Sequence, residues 1–231
     1  AYRLERNTAA AFLEWGQAWP LGLESTLAGR LDHTEGESRA SGKFGLTRPL
    51  QSVDGRLWAS IADGFKLPSF FALGNPLFGN PDLAPEKVTR FEAGYDQRFG
   101  GGIEAGFSLF ASEYEDLVDF DFETFTNINR GRVDINGVFL YLRLQLAPNL
   151  QLGADATLSD ISSDSGPLRR RPENIGGFHL TWCPTAAWSF DLAGNLATLP
   201  DAEAYGPAFD KAALALKPPP RVDTYRGFVF V

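Results

Sequence analysis

The chain has 231 residues, ~1.5 times a typical domain of about 150, and its formal charge of -8 argues against general nucleic-acid binding, which needs a basic surface. A 44% hydrophobic and 13% aromatic content argues against disorder throughout. The 24 Gly and 15 Pro argue against long helices, and a lone cysteine, Cys183, excludes an internal disulfide or a thiolate metal cluster.

No run approaches 18 apolar residues, which excludes a transmembrane helix and leaves spanning strands open, because their residues alternate. The chain starts at Ala1, contains no Met and opens with no signal peptide. These features predict a mature product or a fragment.

Period two dominates the pattern. A strand at 8–18 is followed by the short turn Trp19-Pro20-Leu21. At 22–32, Leu23, Ser25, Leu27, Gly29 and Leu31 oppose Glu24, Thr26, Ala28, Arg30 and Asp32. Successive strand side chains point to opposite faces, so one face is apolar and the other polar. His33–Ser38 reads as a longer connection. In the strand at 39–49, Ala40, Gly42, Phe44 and Leu46 share the apolar face. Gln51–Gly55 is short, 55–64 is a strand, and Phe65–Glu86 is long. The strand at 87–99 sets Phe91, Ala93, Tyr95 and Phe99 against Arg90, Glu92, Asp96 and Arg98. Gly100-Gly101-Gly102 turns into 102–121, where Ile103, Ala105, Phe107 and Leu109 share a face. Glu123–Arg130 connects to 132–146, with Val138, Leu140, Leu142, Leu144 and Leu146 on one side. Ala147-Pro148-Asn149 is short, 150–160 is a strand, and Ile161–Pro172 is long. Strands at 174–183 and 187–198 flank Pro184–Ala187. After Leu199–Pro220, with a helical turn at Asp210–Lys217, an eleventh strand is expected at 221–231.

Every second connection is short, so the short ones share one end of an up-and-down sheet. Membrane barrels have this asymmetry. Many strands reach ten residues or more, against ~5–6 for soluble strands and ~9–11 for tilted spanning ones. Trp15, Trp19, Phe99, Trp182 and Trp188 collect at the short-turn ends, as an interfacial girdle would. The pattern predicts an all-β, antiparallel up-and-down transmembrane barrel segment. A soluble β-sandwich is the alternative. It would bury the face carrying Val138, Leu140, Leu142 and Leu144 against a second sheet.

Signals of catalysis are weak. His33 and His179 fit no zinc spacing, the triple glycine leads into a strand rather than a helix, and no G-x-S-x-G occurs. Cys183 beside Pro184 has no activating neighbour in sequence. No catalytic residue, metal ligand or cofactor is expected. The acidic stretch Glu113–Glu123 reads as a solvated strand above a membrane, or as oxygens for a hard cation without the spacing of a calcium loop. Arg169-Arg170-Arg171 reads as a rim cation cluster or as a clamp on an anionic ligand.

Asp63-Gly64-Phe65-Lys66-Leu67-Pro68-Ser69-Phe70-Phe71, followed by Gly79-Asn80-Pro81-Asp82-Leu83-Ala84-Pro85-Glu86 and a strand with Phe91-Glu92-Ala93-Gly94, resembles the barrel region of TonB-dependent outer-membrane receptors. Asp116–Phe120, Asn127–Arg132, Asn136-Gly137-Val138 and Gly166–Pro172 also look like this family, most of all its vitamin B12 (cobalamin) branch. The likeness runs from about Thr8 to Thr224. It implies one domain over 1–231, a partial barrel of about 11 of 22 strands, open as given. It implies a Gram-negative outer membrane, lipid around the barrel, and TonB and a plug domain as partners outside this chain. The ligand it implies is a large scarce nutrient such as cobalamin or a ferric siderophore. A half-barrel alone leaves edges that lipid cannot satisfy, so a fragment unable to close or transport by itself is expected.

Under that likeness Phe70, Phe71, Asn75 and Asn80 line the external mouth, with Tyr114 and Arg169, Arg170 and Arg171 behind. Aromatics would stack on a corrin or chelate and arginines would meet its anionic groups. Loop packing is the competing reading for each residue. A carbohydrate-type soluble module and a passive porin are the competing functions.

Overall fold

The computed structural model describes residues 5–164, 166, 168 and 172–198, and the backbone of 223–225 and 228–230. Ten strands hydrogen-bond in chain order into one antiparallel sheet: β1 (Thr8–Ala18), β2 (Glu24–Thr34), β3 (Glu37–Leu50), β4 (Gly55–Lys66), β5 (Glu86–Phe99), β6 (Ile103–Asp121), β7 (Thr126–Ala147), β8 (Leu150–Ser163), β9 (Asn174–Thr185) and β10 (Trp188–Ala197). A five-residue helix, α1 (Phe70–Gly74), lies between β4 and β5. No helix among the described residues is long and apolar enough to cross a membrane.

The register carries the two faces across the sheet. One row reads Leu27, Phe44, Ile61, Phe91 and Ala111 through β2 to β6. The adjoining row reads Ala28, Lys43, Ala62, Arg90 and Ser112. The apolar row faces outward with no layer over it: Leu27 is 53% exposed, Ile61 50% and Phe91 51%. On β6 the outward apolar run extends from Ile103 to Ala111, about nine residues, the ~9–11 that a tilted spanning strand needs. It ends at a polar row, Asp63, Thr89, Glu113, Asp134 and Ser162. At the lower end Trp15, Trp19, Phe99, Trp182 and Trp188 stay exposed, as expected of a girdle. Trp19 donates its indole N–H to Ser25 Oγ at 2.7 Å, and Trp182, Phe190 and Trp188 stack in sequence.

Glycines face aromatic rings across the strands. Trp58 pairs with Gly94, Phe110 with Gly137, Tyr141 with Gly106, and His179 with Gly153. A Cβ on Gly106 would sit 2.5 Å from Tyr141 Cε1, and one on Gly94 would sit 2.7 Å from Trp58 Cζ2. Each ring approaches bare backbone too closely for a Cβ, the packing by which aromatics shield sheet glycines. The polar wall is thereby kept thin.

Three expectations are corrected. The eleventh strand is absent from the sheet: Asp223–Tyr225 (β11) and Phe228–Phe230 (β12) form a separate hairpin. His33–Ser38 is no long loop, because β2 and β3 pair through Thr34 and Glu37. Glu35 at φ 53 and Gly36 at φ 88 make a two-residue turn with both centres left-handed. Much of the 123–130 connection is strand, since β7 starts at Thr126 and pairs with Asp121. Its polarity reflects solvent above the belt rather than irregular backbone. The sandwich alternative also falls: Leu140 and Leu142 are 42% and 38% exposed, with no second sheet over them among the described residues.

Leu109→Arg, mid-belt and outward, is expected to cost ~2–4 kcal/mol of barrel stability, the price of a charge near the bilayer midplane. Thr26→Arg on the polar face is expected to cost far less. Urea unfolding in liposomes of the receptor carrying this segment checks the contrast.

Candidate ligand-binding site

β6 has 19 residues and β7 has 22. They continue as a hairpin about ten residues past the polar border row, roughly 30 Å at strand rise. The hairpin parts from β5 after the Lys87–Glu115 pair, at Asp116, whose φ is 57. The Glu86 carboxylate takes over there: its Oε1 accepts the Val118 N–H at 3.1 Å and its Oε2 accepts Lys66 Nζ at 3.1 Å. Above the belt Leu117, Val133 and Leu168 form a small buried cluster, with Tyr114, Ile135 and Ile161 packed on it.

The β4–β5 segment folds onto this hairpin. Pro68 favours an extended residue before the helix, and Ser69 caps α1, its Oγ accepting the Ala72 N–H at 3.1 Å. Two asparagines of β7, on alternate positions and so on one face, hold the segment. Asn127 donates its side-chain amide to the Phe78 carbonyl at 2.9 Å and to the Ala72 carbonyl at 3.3 Å. Asn129 donates to the Ala84 carbonyl at 3.0 Å and the Asp116 carbonyl at 2.6 Å, and its Oδ1 accepts the Ala84 N–H at 2.8 Å. Asn80 returns the bond, donating to the Asn127 carbonyl at 2.9 Å.

This docking gathers phenylalanines into a crown. Phe71 meets Phe78 edge-on at 5.3 Å, Phe78 meets Phe120 at 5.8 Å, and Phe120 meets Phe122 and Phe125 at 4.8 and 5.3 Å. Phe71 is 57% exposed and Phe125 62%. This apolar surface lies above the belt, beyond the row that borders it. At the tip Asp121 accepts the Thr124 hydroxyl at 2.6 Å and the Glu123 amide at 3.1 Å. Those bonds, the hydroxyl's first, hold its carboxyl below the usual carboxylate range.

The expected site residues divide. Phe70 and Phe71 lie at the crown, Phe70 beneath the Arg6 guanidinium at 5.0 Å. Asn75 and Asn80 spend their side chains on the segment itself: Asn75 Oδ1 accepts the Leu77 N–H and Asn80 Oδ1 accepts the Asp82 N–H, both at 2.9 Å. Tyr114 packs on the Leu117–Val133–Leu168 cluster. Arg169, Arg170 and Arg171 lie outside the described residues. Sequence reasoning missed Phe78, Phe120, Phe122 and Phe125, although Phe120 and Phe122 fall on alternate positions of the acidic stretch.

The polar wall below is recessed in several places, two of them larger than about 300 Å³. One of about 470 Å³ is lined by Glu14, Lys43, Arg56, Trp58 and Glu92. One of about 360 Å³ is lined by Arg56, Asp96, Tyr141, Asp155 and His179. Arg56 pairs with Asp96 at 2.5 Å and Arg143 with Glu104 at 3.2 Å. Trp58 Nε1 is the buried side-chain donor without a partner among the described residues.

A one-layer sheet with an outward apolar belt, an aromatic girdle and a charged inner wall is the wall of an outer-membrane barrel. Over residues 1–225 the chain matches the family described as TonB dependent receptor-like, beta-barrel, and it belongs to that family. It is 23% identical over 206 residues to the iron-regulated outer membrane virulence protein of Vibrio cholerae, covering 74% of this chain and 30% of that protein. Its fold is similar to that of the copper transporter OprC, with a TM-score of 0.67 and 19% identity over 83% of this chain and 34% of the other. It is also similar to the siderophore receptor PirA from Pseudomonas aeruginosa, with a TM-score of 0.65 and 19% identity over 84% of this chain and 38% of the other. The chain thus spans about a third of each relative's length. The segment is an outer-membrane one, and the end bearing the crown is the external end by the barrel's asymmetry.

Asn127→Ala is expected to loosen the 67–85 segment by removing one donor each from the Phe78 and Ala72 carbonyls, which keep the Asn127 and Asn80 backbone N–H, at about 0.5–1.5 kcal/mol. Hydrogen exchange at the Gly79 and Asn80 amides should speed accordingly. The Asp121 turn is expected to weaken as pH falls through that residue's depressed pKa and to hold above the usual carboxylate range. Protection factors at Glu123 and Thr124 check this, with Asp121→Asn removing the dependence.

Proposed function

We propose that this chain is the ligand-receiving part of a receptor for TonB-dependent uptake of a large scarce metal chelate, such as a ferric siderophore or cobalamin. The observation that carries the reading is the aromatic crown, held by the asparagine clamp far above the lipid belt. Phe71, Phe122 and Phe125 offer ring faces to a planar or bulky ligand, and Phe70 borders them. The whole of 1–231 acts as one barrel-domain segment, with no catalytic role. A plug domain filling the lumen is part of this reading, and the charged inner wall suits a polar domain as it suits water. TonB supplies the driving force through that plug. The names of the siderophore and copper relatives support a metal complex as cargo.

The test is uptake and binding of a panel of radiolabelled ferric chelates and cobalamin by cells expressing the intact receptor. Phe71→Ala with Phe125→Ala is expected to cut cell-surface binding by about tenfold, and collapsing the proton-motive force is expected to stop uptake while sparing binding. Undiminished binding of the accepted chelate by the double variant would remove the crown from the reading.

A further inference from the structure

We propose that Arg6 is an anion-binding residue of the external site, its guanidinium taking the negatively charged oxygens of a chelate whose apolar part lies on Phe70 and Phe71. This rests on the external-ligand reading above and adds a residue and the sign of the ligand's charge. Arg6 stands just before β1, which begins at Thr8, and shares the parity of Glu14, which lines the inner wall. Its side chain reaches away from β1. Nη2 donates to the Pro68 carbonyl at 3.1 Å, and the guanidinium carbon stands 5.0 Å over the Phe70 ring. β2 and β3 separate β1 from β4 in the sheet. The contact therefore reaches across part of the mouth, from the segment entering β1 to the segment leaving β4.

The guanidinium is held but not spent. Among the described residues only the Pro68 carbonyl accepts one of its five N–H groups, and no carboxylate pairs with it. The other described cations at this end are neutralised: Arg30, Arg39, Lys66, Lys87, Arg130 and Arg132 each pair with a carboxylate. A guanidinium fork matches paired anionic oxygens. The ring beneath Arg6 and the bond to Pro68 fix the plane of that fork before a ligand arrives, which lowers the ordering cost of binding. Phe70 is 40% exposed and Phe71 57%, so apolar surface adjoins the cation. Asp121 and Glu123 stand at the hairpin tip, at the far end of the ring series that runs from Phe71 through Phe78 and Phe120. Salt screens exposed charges over about 8 Å, so their repulsion of an anion at Arg6 is weak.

Two tripodal ferric chelates of matched size, labelled with radioiron, serve as probes: a trianionic tris-catecholate and a neutral tris-hydroxamate. Each is titrated on de-energised cells expressing the intact receptor, so that binding is read without uptake. The tris-catecholate is expected to bind about tenfold more tightly. Arg6→Gln should weaken it about tenfold, the scale of one charge-assisted contact, and leave the tris-hydroxamate within about twofold. Arg6→Lys, which keeps the charge and loses the fork, should recover part of the loss. An equal loss of both chelates in Arg6→Gln would mean that Arg6 only props the 67–85 segment. It would overturn the assignment and leave the external-ligand reading standing. So would a catecholate preference that survives Arg6→Gln and is lost when Arg169, Arg170 and Arg171 are changed to Ala. Tighter binding of the neutral chelate, or binding of neither, would overturn the assignment as well, while the chelate panel and the Phe71 and Phe125 variants decide the external-ligand reading by themselves.

Discussion

Lipid offers a backbone no hydrogen-bond partner, and that single constraint organises this chain. A strand in hydrocarbon must spend every N–H and C=O on its neighbours. The ten strands do so in sequence order, each pairing with the next through registers that rarely slip. Once the ladder is fixed, side chains have only two directions left. The sequence then has to place Leu, Ile and Phe on one parity and charge on the other, strand after strand. A one-residue slip would turn the belt inside out. The same constraint applies to the outer edges of β1 and β10, each of which needs a further strand in an intact wall.

The inner parity is under a different demand. It carries Arg56, Asp96, Glu104, Arg143 and Asp155 in a concave space that another domain can enter. Large rings on that face need room across the strand, and a residue without a Cβ leaves it. The pairs Trp58–Gly94, Tyr141–Gly106 and His179–Gly153 follow from that geometry. These glycines therefore give the wall its smoothness, where glycine in a strand otherwise weakens it.

The belt was the most legible part of the chain, because period two is a local signal. Leu140, Leu142 and Leu144 announce a lipid-facing strand with no knowledge of their neighbours. The start of β7 was illegible for the same reason. Asn127, Asn129 and Arg130 are polar because both faces there are outside lipid, and that stretch reads as a loop. The Glu35-Gly36 turn was hidden because a glutamate in the left-handed region is uncommon. At the site, the phenylalanine pair 70–71 stood out by adjacency. Phe78, Phe120 and Phe125 meet only through tertiary docking, which no spacing rule encodes. Asn80 was legible as special, and its amide is spent on holding the segment to β7.

That docking resolves a tension in the site. Five phenylalanines at the tip of a long hairpin would bury one another if the segments were loose, and a collapsed cluster offers no face to a ligand. The asparagines prevent the collapse by fixing carbonyls, not rings. Asn127 and Asn129 bind the backbone of Ala72, Phe78 and Ala84, so the height of the 67–85 segment on the hairpin is set before any ring packs. The rings can then meet edge to edge, which leaves Phe71 and Phe125 more than half exposed. On the proposed reading, recognition depends on polar groups that need never touch the ligand. Rigidity in the clamp keeps the apolar surface open by lowering what ordering it on binding would otherwise cost.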